Sequence, residues 1–244
     1  MIQVGFKSDK GIRRDNNEDA CFIVPSEDVY IIADGVGGNN AGEIASRTAV
    51  AVAADYIRRN PVSAVKDGGE KALREYFSRC LTAVNTEVYA LARRHEENRG
   101  MATTMVIAYL DGRTGYITNI GDSRAYVCRN GELICVTEDH TYVNELLHQG
   151  AISKEEAENH PKRNMLTRAI GGDAVANPDF FRVDLQTGDI LMLCTDGLYS
   201  EVENKLAAEI LMSAADMRDA AGKLVHAANR RGGSDNITVI CLKI

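Results

Sequence analysis

Five short stretches place acidic residues where an apolar run begins or ends. "VYIIADGVGG" closes a run at Asp34-Gly35, and "ILMLCTDG" closes another at Asp196-Gly197. "DNNEDACFIV" puts Glu18 and Asp19 at the entrance to a third, "GGSDNITVI" puts Asp235 before the last, and "TNIGDSRAYV" sets Asp122 between two more. Runs this apolar read as buried strands, so each carboxylate should lie at the edge of a core. An ionised carboxylate there is costly unless it is paired or bound to a cation. Taken singly, each is more often a turn or cap residue. Several gathered at strand ends would need a counter-charge, and these segments hold few Lys or Arg residues. Hard cations answer that need, and an all-oxygen donor set without His or Cys favours Mg2+ or Mn2+ over Zn2+. Periodicity does not show whether the strand ends converge. Arg14 stands one short loop before Glu18 in "RRDNNED". Beside carboxylate-bound ions it could hold a phosphoryl group through its planar fork; as a lone residue it, like Arg13, reads as a surface arginine.

The elements that must position these residues come in blocks. Strand-like runs "IQVGF", "ACFIV" and "VYIIA" open the chain. A helical pattern follows, in which Ile44, Ala45, Thr48, Ala49, Val52, Ala53 and Tyr56 recur at helical spacing. Asn40 with Glu43 reads as its capping box, and Asn60-Pro61 closes it. A second helix after Gly68-Gly69 carries the stripe Leu73, Phe77, Cys80, Leu81, Val84, Val88 and Leu91. Strands return from Ala102 to Thr137, with hairpin turns at Asp111-Gly112 and Asn130-Gly131. A polar segment from about Glu138 to Gly172, with a capping box at Ser153 and Glu156, reads as short helices and loops inserted between strands. "FFRVDL" and "DILMLC" are strands, about Glu203 to Arg230 is helical, and "NITVICLKI" closes as a strand. Strands joined by tight turns are antiparallel, so this block order predicts an α+β layered fold rather than a doubly wound sheet. One domain over 1–244 with an insert is the simplest organisation.

Composition narrows the function classes. The 244 residues are 45% hydrophobic and 26% charged, with a formal net charge of -7. That balance argues against non-specific nucleic-acid binding, which needs a basic face. The longest apolar runs fall far short of the roughly 18 residues of a membrane span, and the start lacks a signal-peptide pattern. Six cysteines without a C-x-x-C pair, mostly in apolar runs, read as reduced core thiols. The expectation is a cytoplasmic protein with no membrane or nucleic-acid partner. The glycines after Asp34 also invite a dinucleotide-loop reading, but G-x-G-x-x-G fails at Asn40, and a regular strand-helix alternation is missing.

These residues resemble a known family. "RRDNNED" is similar to the R-x-x-N-E/Q-D motif of the metal-dependent protein phosphatases, the protein phosphatase 2C class, bacterial type. "ADGVGG" is similar to its D-G-x-G-G motif. "NIGDSRAY", "LTRAIGG", "LCTDGLYSEV" and "GGSDNITVI" resemble its later motifs, in order and over nearly the whole chain. The resemblance implies a four-layer α-β-β-α sandwich, two antiparallel sheets flanked by helix pairs, with a metal site at one end. It implies that Asp34 bridges two Mn2+ or Mg2+ ions and that Asp196 and Asp235 complete one of them. Glu18, through water, and the Gly35 carbonyl serve the other. Arg14 is implied to bind the substrate phosphate, Asp122 with Asp196 to hold a weaker third ion, and Asp19 to support the ligands from behind. The segment 138–172 corresponds to a flap beside the site, and His140 at its edge is expected to be structural.

The implied reaction is hydrolysis of phosphoserine and phosphothreonine in proteins by a metal-bridging hydroxide, opposing a Ser/Thr kinase, by a monomer. It requires no phosphoenzyme, so the cysteines have no part in it. Two departures stand out. Val36 occupies the position where eukaryotic members carry His, leaving protonation of the leaving group to water on the ions. "MATT" replaces the family's M-G-T-T, and Ala102 there is expected to affect packing only. A catalytically silent relative that binds phosphoproteins would be expected to have lost a core aspartate, and none is missing. Partner-switch phosphatases of sporulation or stress pathways would share the fold, but usually carry sensor or membrane regions.

Overall fold

The computed structural model describes residues 2–38 and 41–244. In chain order, β1 (Gln3–Asp9), β2 (Asp19–Val24) and β3 (Val29–Val36) precede the long helices α1 (Ala41–Arg59) and α2 (Gly69–Arg94). Strands β4 (Ala102–Thr103), β5 (Met105–Asp111), β6 (Thr114–Ile120), β7 (Arg124–Arg129) and β8 (Glu132–Cys135) follow. Short helices α3 (Tyr142–His148) and α4 (Lys154–Glu158) lie in the polar segment. The chain ends with β9 (Asp179–Asp184), β10 (Ile190–Cys194), α5 (Asp196–Tyr199), α6 (Asn204–Ser213), α7 (Met217–Arg231) and β11 (Ile237–Lys243).

Two antiparallel sheets result, one ordered β1-β11-β10-β7-β8 and the other β2-β3-β5-β6-β9, with β4 on β3. Each central strand is buried on both faces, which explains why the runs read as continuously apolar. Alternate residues divide between two cores. In β3, Tyr30 and Ile32 face the other sheet, while Val29, Ile31 and Ala33 pack against α1 and α2. In β10, Leu191 and Leu193 face between the sheets, while Ile190, Met192 and Cys194 meet α6 and α7. The layers are therefore helix, sheet, sheet, helix, as expected.

Local chemistry accounts for most boundaries. Asn130 and Gly131 both have positive φ, 53° and 82°, as a tight hairpin between β7 and β8 requires. Ser153 and Glu156 form a reciprocal capping box on α4. The expected Asn40–Glu43 box lies partly outside the described residues, since Asn40 is not among them. The helical patterns over about 203–230 form two helices, the second capped by Asp216 through the Arg218 and Asp219 N–H groups. One expectation is corrected. The buried face of α1 is rotated from the expected stripe. Ile44 is 41% exposed, and Gly42 and Ser46 are buried instead, because those small residues let the helix approach β2 and β3 closely.

Candidate metal and phosphate site

Topology brings the acidic strand ends together. Asp34 follows Tyr30 and Ile32 along the inter-sheet face of β3, and Asp19 pairs with it in register on β2. Asp122 lies between β6 and β7, Asp196 follows β10, and Asp235 precedes β11. All five occupy one end of the sandwich. Arg14, Glu18, Asp34, Gly35, Asp122, Asp196 and Asp235 line a single cleft of about 230 Å3. Val36, Gly37, Asn164, Leu166 and Asn236 also line it. Of the residues expected in the site, only Asp19 does not line it; it is buried behind. A larger cleft of about 1130 Å3 lies between β1 and β2, where Asp28 and Arg218 are the charged lining among the described residues. The chemistry selects the smaller one.

The backbone around Asp34 is pinned from several sides. Its N–H donates to Thr104 Oγ1 at 3.0 Å, and its carbonyl accepts from Thr103 Oγ1 at 2.7 Å and the Thr104 N–H at 2.9 Å. The Gly35 N–H donates to the Glu18 carbonyl at 3.1 Å. A Cβ on Gly35 would collide with the Gly42 carbonyl, and one on Gly42 would collide with Glu18 Oε2 and lie 2.7 Å from the Gly35 carbonyl. Two facing glycines thus let the start of α1 press β3 and Glu18 into the cleft wall. Asn236 fastens the Glu18 loop: its Oδ1 accepts the Glu18 N–H at 2.8 Å, and its Nδ2 donates to the carbonyls of Lys10 and Asn16.

Electrostatics follow from this crowding. Burial, then the charges of Asp19, Asp196, Asp122 and Asp235, lift the Asp34 carboxyl well above the usual carboxylate range. Burial also raises Asp196 to about 6, Asp19 to about 7 and Asp122 to about 8, with neighbouring carboxylates adding to each. Asp19 accepts from Thr195 Oγ1 at 2.8 Å through Oδ2, while its buried Oδ1 has no partner. Arg14 is a close cation, its Nη2 2.7 Å from Asp235 Oδ2, and the Arg124 charge acts on Asp122. The other Asp235 oxygen accepts the Asn236 N–H at 2.8 Å.

The donor set suits hard divalent cations: carboxylate and carbonyl oxygens, and acidic groups that need positive charge to remain ionised. Among the described residues, no three His, Cys, Asp or Glu side chains close on one point as they stand. Ions here would therefore take water as well as protein oxygens, as Mg2+ commonly does.

Two residues that carry this geometry, Gly42 and Asn236, have no role in the reading of the sequence. Gly42 was detectable as a glycine in the first turn of a helix, where propensity disfavours it. Asn236 gave no signal beyond its place after Asp235. His140, expected to be structural, is buried and holds Gly121: its Nδ1 accepts the Gly121 N–H at 3.1 Å. Ala102 pairs with Val36 in β4, at the edge of the cleft.

Comparison with known proteins agrees with this geometry. The protein phosphatase 2C family model matches residues 11–235. The serine/threonine phosphatase stp of Listeria monocytogenes is 38% identical over 241 residues, 98% of this chain and 94% of that protein. Protein phosphatase PhpP of Streptococcus pneumoniae is 36% identical over 242 residues, 98% of this chain and 96% of that one. The solved S. agalactiae serine/threonine phosphatase superposes with a TM-score of 0.93 at 32% identity, covering all of both chains. The catalytic domain of the phosphatase PstP, solved with two manganese ions, superposes with a TM-score of 0.84 at 32% identity, over 99% of this chain and 97% of that one. The chain belongs to the protein phosphatase 2C family of serine/threonine protein phosphatases.

Proposed function

We propose that this protein hydrolyses phosphoserine and phosphothreonine in proteins with two divalent cations, Mn2+ or Mg2+, held at the carboxylate end of the sandwich. The observation that carries this reading is the convergence of Asp34, Asp122, Asp196 and Asp235 on one cleft with Arg14 beside them. The two manganese ions of the related PstP structure support it. In this reading Asp34 would serve both ions, Asp196 and Asp235 would hold one, and Glu18, through water, and the Gly35 carbonyl would hold the other. Asp122 and Asp196 would hold a weaker third ion, and Asp19, anchored by Thr195, would support Asp34 across the β2–β3 pair.

When bound, the ions supply a water acidic enough to attack phosphorus near neutral pH and positive charge for the phosphoryl oxygens. The chain's own residues do the rest. Arg14 exchanges its hold on Asp235 for the substrate phosphate and fixes its orientation by charge-assisted hydrogen bonds. The hydrogen bonds from Thr103 and Thr104 keep the Asp34 backbone in place, so its carboxylate needs little reorganisation. Val36 has no proton to give, so the leaving oxygen takes its proton from water. Asn164 and Leu166 bring the segment 138–172 against the cleft, where it acts as a flap on the substrate. We further infer a single phosphatase domain that works as a cytoplasmic monomer opposing a Ser/Thr kinase; the six unpaired cysteines accord with a reducing compartment.

Purified protein in Mn2+ should release phosphate from phosphothreonine and phosphoserine peptides. Absence of release across several sequences would leave a phosphoprotein-binding relative as the better reading.

A further inference from the structure

We propose that His140 is a positioning residue for Asp122: it fixes the Gly121–Asp122 turn and thereby sets how tightly Asp122 holds its cation. The proposal rests on the reading of Asp122 as a ligand of the weaker third ion.

Asp122 sits in a turn, not in a strand, so no ladder holds it. Gly121 before it has φ of +99°, a conformation that side chains rarely adopt. His140 grips that glycine twice. The Gly121 N–H donates to the ring Nδ1 at 3.1 Å, and the His140 N–H donates to the Gly121 carbonyl at 3.0 Å. Since Nδ1 accepts, the ring proton resides on Nε2, which faces Asp179 Oδ2 at 3.1 Å. Asp179 is held in turn by Arg168, 3.0 Å from its Oδ1. The ring is thus fixed at both nitrogens in one tautomer.

The same residue, at the edge of the flap segment, also holds that segment's far end. The His140 carbonyl accepts the Thr167 N–H at 2.9 Å, next to Leu166 in the cleft wall. Through its ring His140 thus holds the backbone before a cleft carboxylate, and through its own backbone it holds the residue after a cleft-lining flap residue. On the other side of the turn, Tyr199 Oη donates to the Asp122 carbonyl at 3.0 Å, with the Arg124 guanidinium stacked on its ring. A histidine serving only to fill the core would need its nitrogens satisfied somewhere; here the partner of Nδ1 is the residue that aims Asp122. Outer groups that orient metal ligands commonly matter tenfold or more in affinity.

The two ring nitrogens can be separated by substitution. The amide oxygen of His140→Asn lies close to the position of Nδ1 and can accept from Gly121; the amide of His140→Gln reaches toward the position of Nε2 and leaves Gly121 without an acceptor. Mn2+ binding to the whole protein is measured directly, as free Mn2+ by electron paramagnetic resonance, for these variants, Tyr199→Phe and Asp122→Asn. The expected result is a weakest Mn2+ site about tenfold weaker in His140→Gln, near wild type in His140→Asn, several-fold weaker in Tyr199→Phe, and lost in Asp122→Asn, with the two tighter ions retained throughout. Equal weak-site affinity in His140→Gln and His140→Asn overturns the proposal, as does loss of the tighter ions in either, which marks a general collapse. Loss of the weak ion in Asp122→Asn but not in His140→Gln overturns the His140 role alone. Retention of that ion in Asp122→Asn overturns the reading of Asp122 and the proposal with it.

Discussion

The guanidinium of Arg14 lies 2.7 Å from the carboxylate of Asp235, a contact between residues 221 positions apart in the chain. It joins the first loop of the protein to the loop before the last strand and places a flexible cation of the cleft on a carboxylate proposed as a metal ligand. Arg14 is half exposed, with 50% of its side chain accessible, so it can turn from Asp235 to an incoming phosphate. Its partner then needs another positive charge, which an ion supplies.

Arg14→Ala should therefore lower kcat/KM by about 10- to 100-fold, the range for a hydrogen bond to a charged group. Most of the effect should appear in KM for the phosphopeptide. Arg14→Lys should recover only part of it, because a point charge replaces a planar fork. Steady-state kinetics on one phosphothreonine peptide check this; equal KM in wild type and Arg14→Ala would remove Arg14 from phosphate binding.

Asp34→Asn should abolish activity yet stabilise the metal-free fold. The Asp34 carboxyl is pushed well up by burial and by four acidic neighbours, so a neutral amide of the same shape relieves repulsion. The expected gain is about 1 kcal/mol, a rise of roughly 2–4 °C in Tm for a chain of this size, with kcat at least about a thousandfold down. Thermal melts in EDTA and turnover in Mn2+ give the two readings. A lower Tm in EDTA would mean that the carboxylate is better satisfied than the cleft geometry indicates.

Metal and pH should act on stability through the same groups. Burial and mutual repulsion raise Asp196, Asp19 and Asp122 to about 6, 7 and 8 from an ordinary 3.8. A carboxyl raised in the folded state contributes stability that is full below its unfolded value and is lost as pH climbs through the folded one. Metal-free protein should thus lose stability between about pH 4 and pH 8. Mn2+ should restore it, with a larger Tm increase at about pH 8 than at about pH 5. A Tm increase independent of pH would contradict the assignment of these carboxylates to the ions.

Gly42→Ala should weaken metal binding without replacing a ligand. A Cβ there meets Glu18 Oε2 and the Gly35 carbonyl, so α1 must move outward or Glu18 must leave its place. Overpacking of this kind costs about 1–3 kcal/mol, and Mn2+ affinity should fall about tenfold. Calorimetric Mn2+ titration checks it, and unchanged affinity would show that the glycine pair serves packing alone.

How much of this was legible in the sequence differs from feature to feature. Asp111-Gly112 and Asn130-Gly131 announce hairpins through local turn chemistry, and both turns form, with Gly112 at φ of +60°. Asp34-Gly35 has the same dipeptide but lies near the end of a strand buried on both faces, and the following helical pattern marks it as different. Convergence of Asp34, Asp122, Asp196 and Asp235 was not legible from periodicity, because it depends on which strands are neighbours; collinear motifs supplied that expectation instead. The Asp19–Asp34 register pair follows from the β2–β3 hairpin. The positions of Gly42, Asn236 and His140 depend on contacts between segments distant in sequence, where no local rule applies. The rotation of α1 has a similar origin: close approach to β3 favours Gly42 and Ser46 over the larger Ile44, against a pattern scored on hydrophobicity.

The central claim is that carboxylate-held cations perform the hydrolysis. The most direct measurement is phosphate release from a phosphothreonine peptide by wild type in Mn2+, by wild type in excess EDTA, and by Asp196→Asn in Mn2+. The account predicts turnover in the first case and near-complete loss in the other two, with full recovery of the EDTA-treated enzyme when Mn2+ is returned. Turnover that survives both EDTA and Asp196→Asn would contradict it.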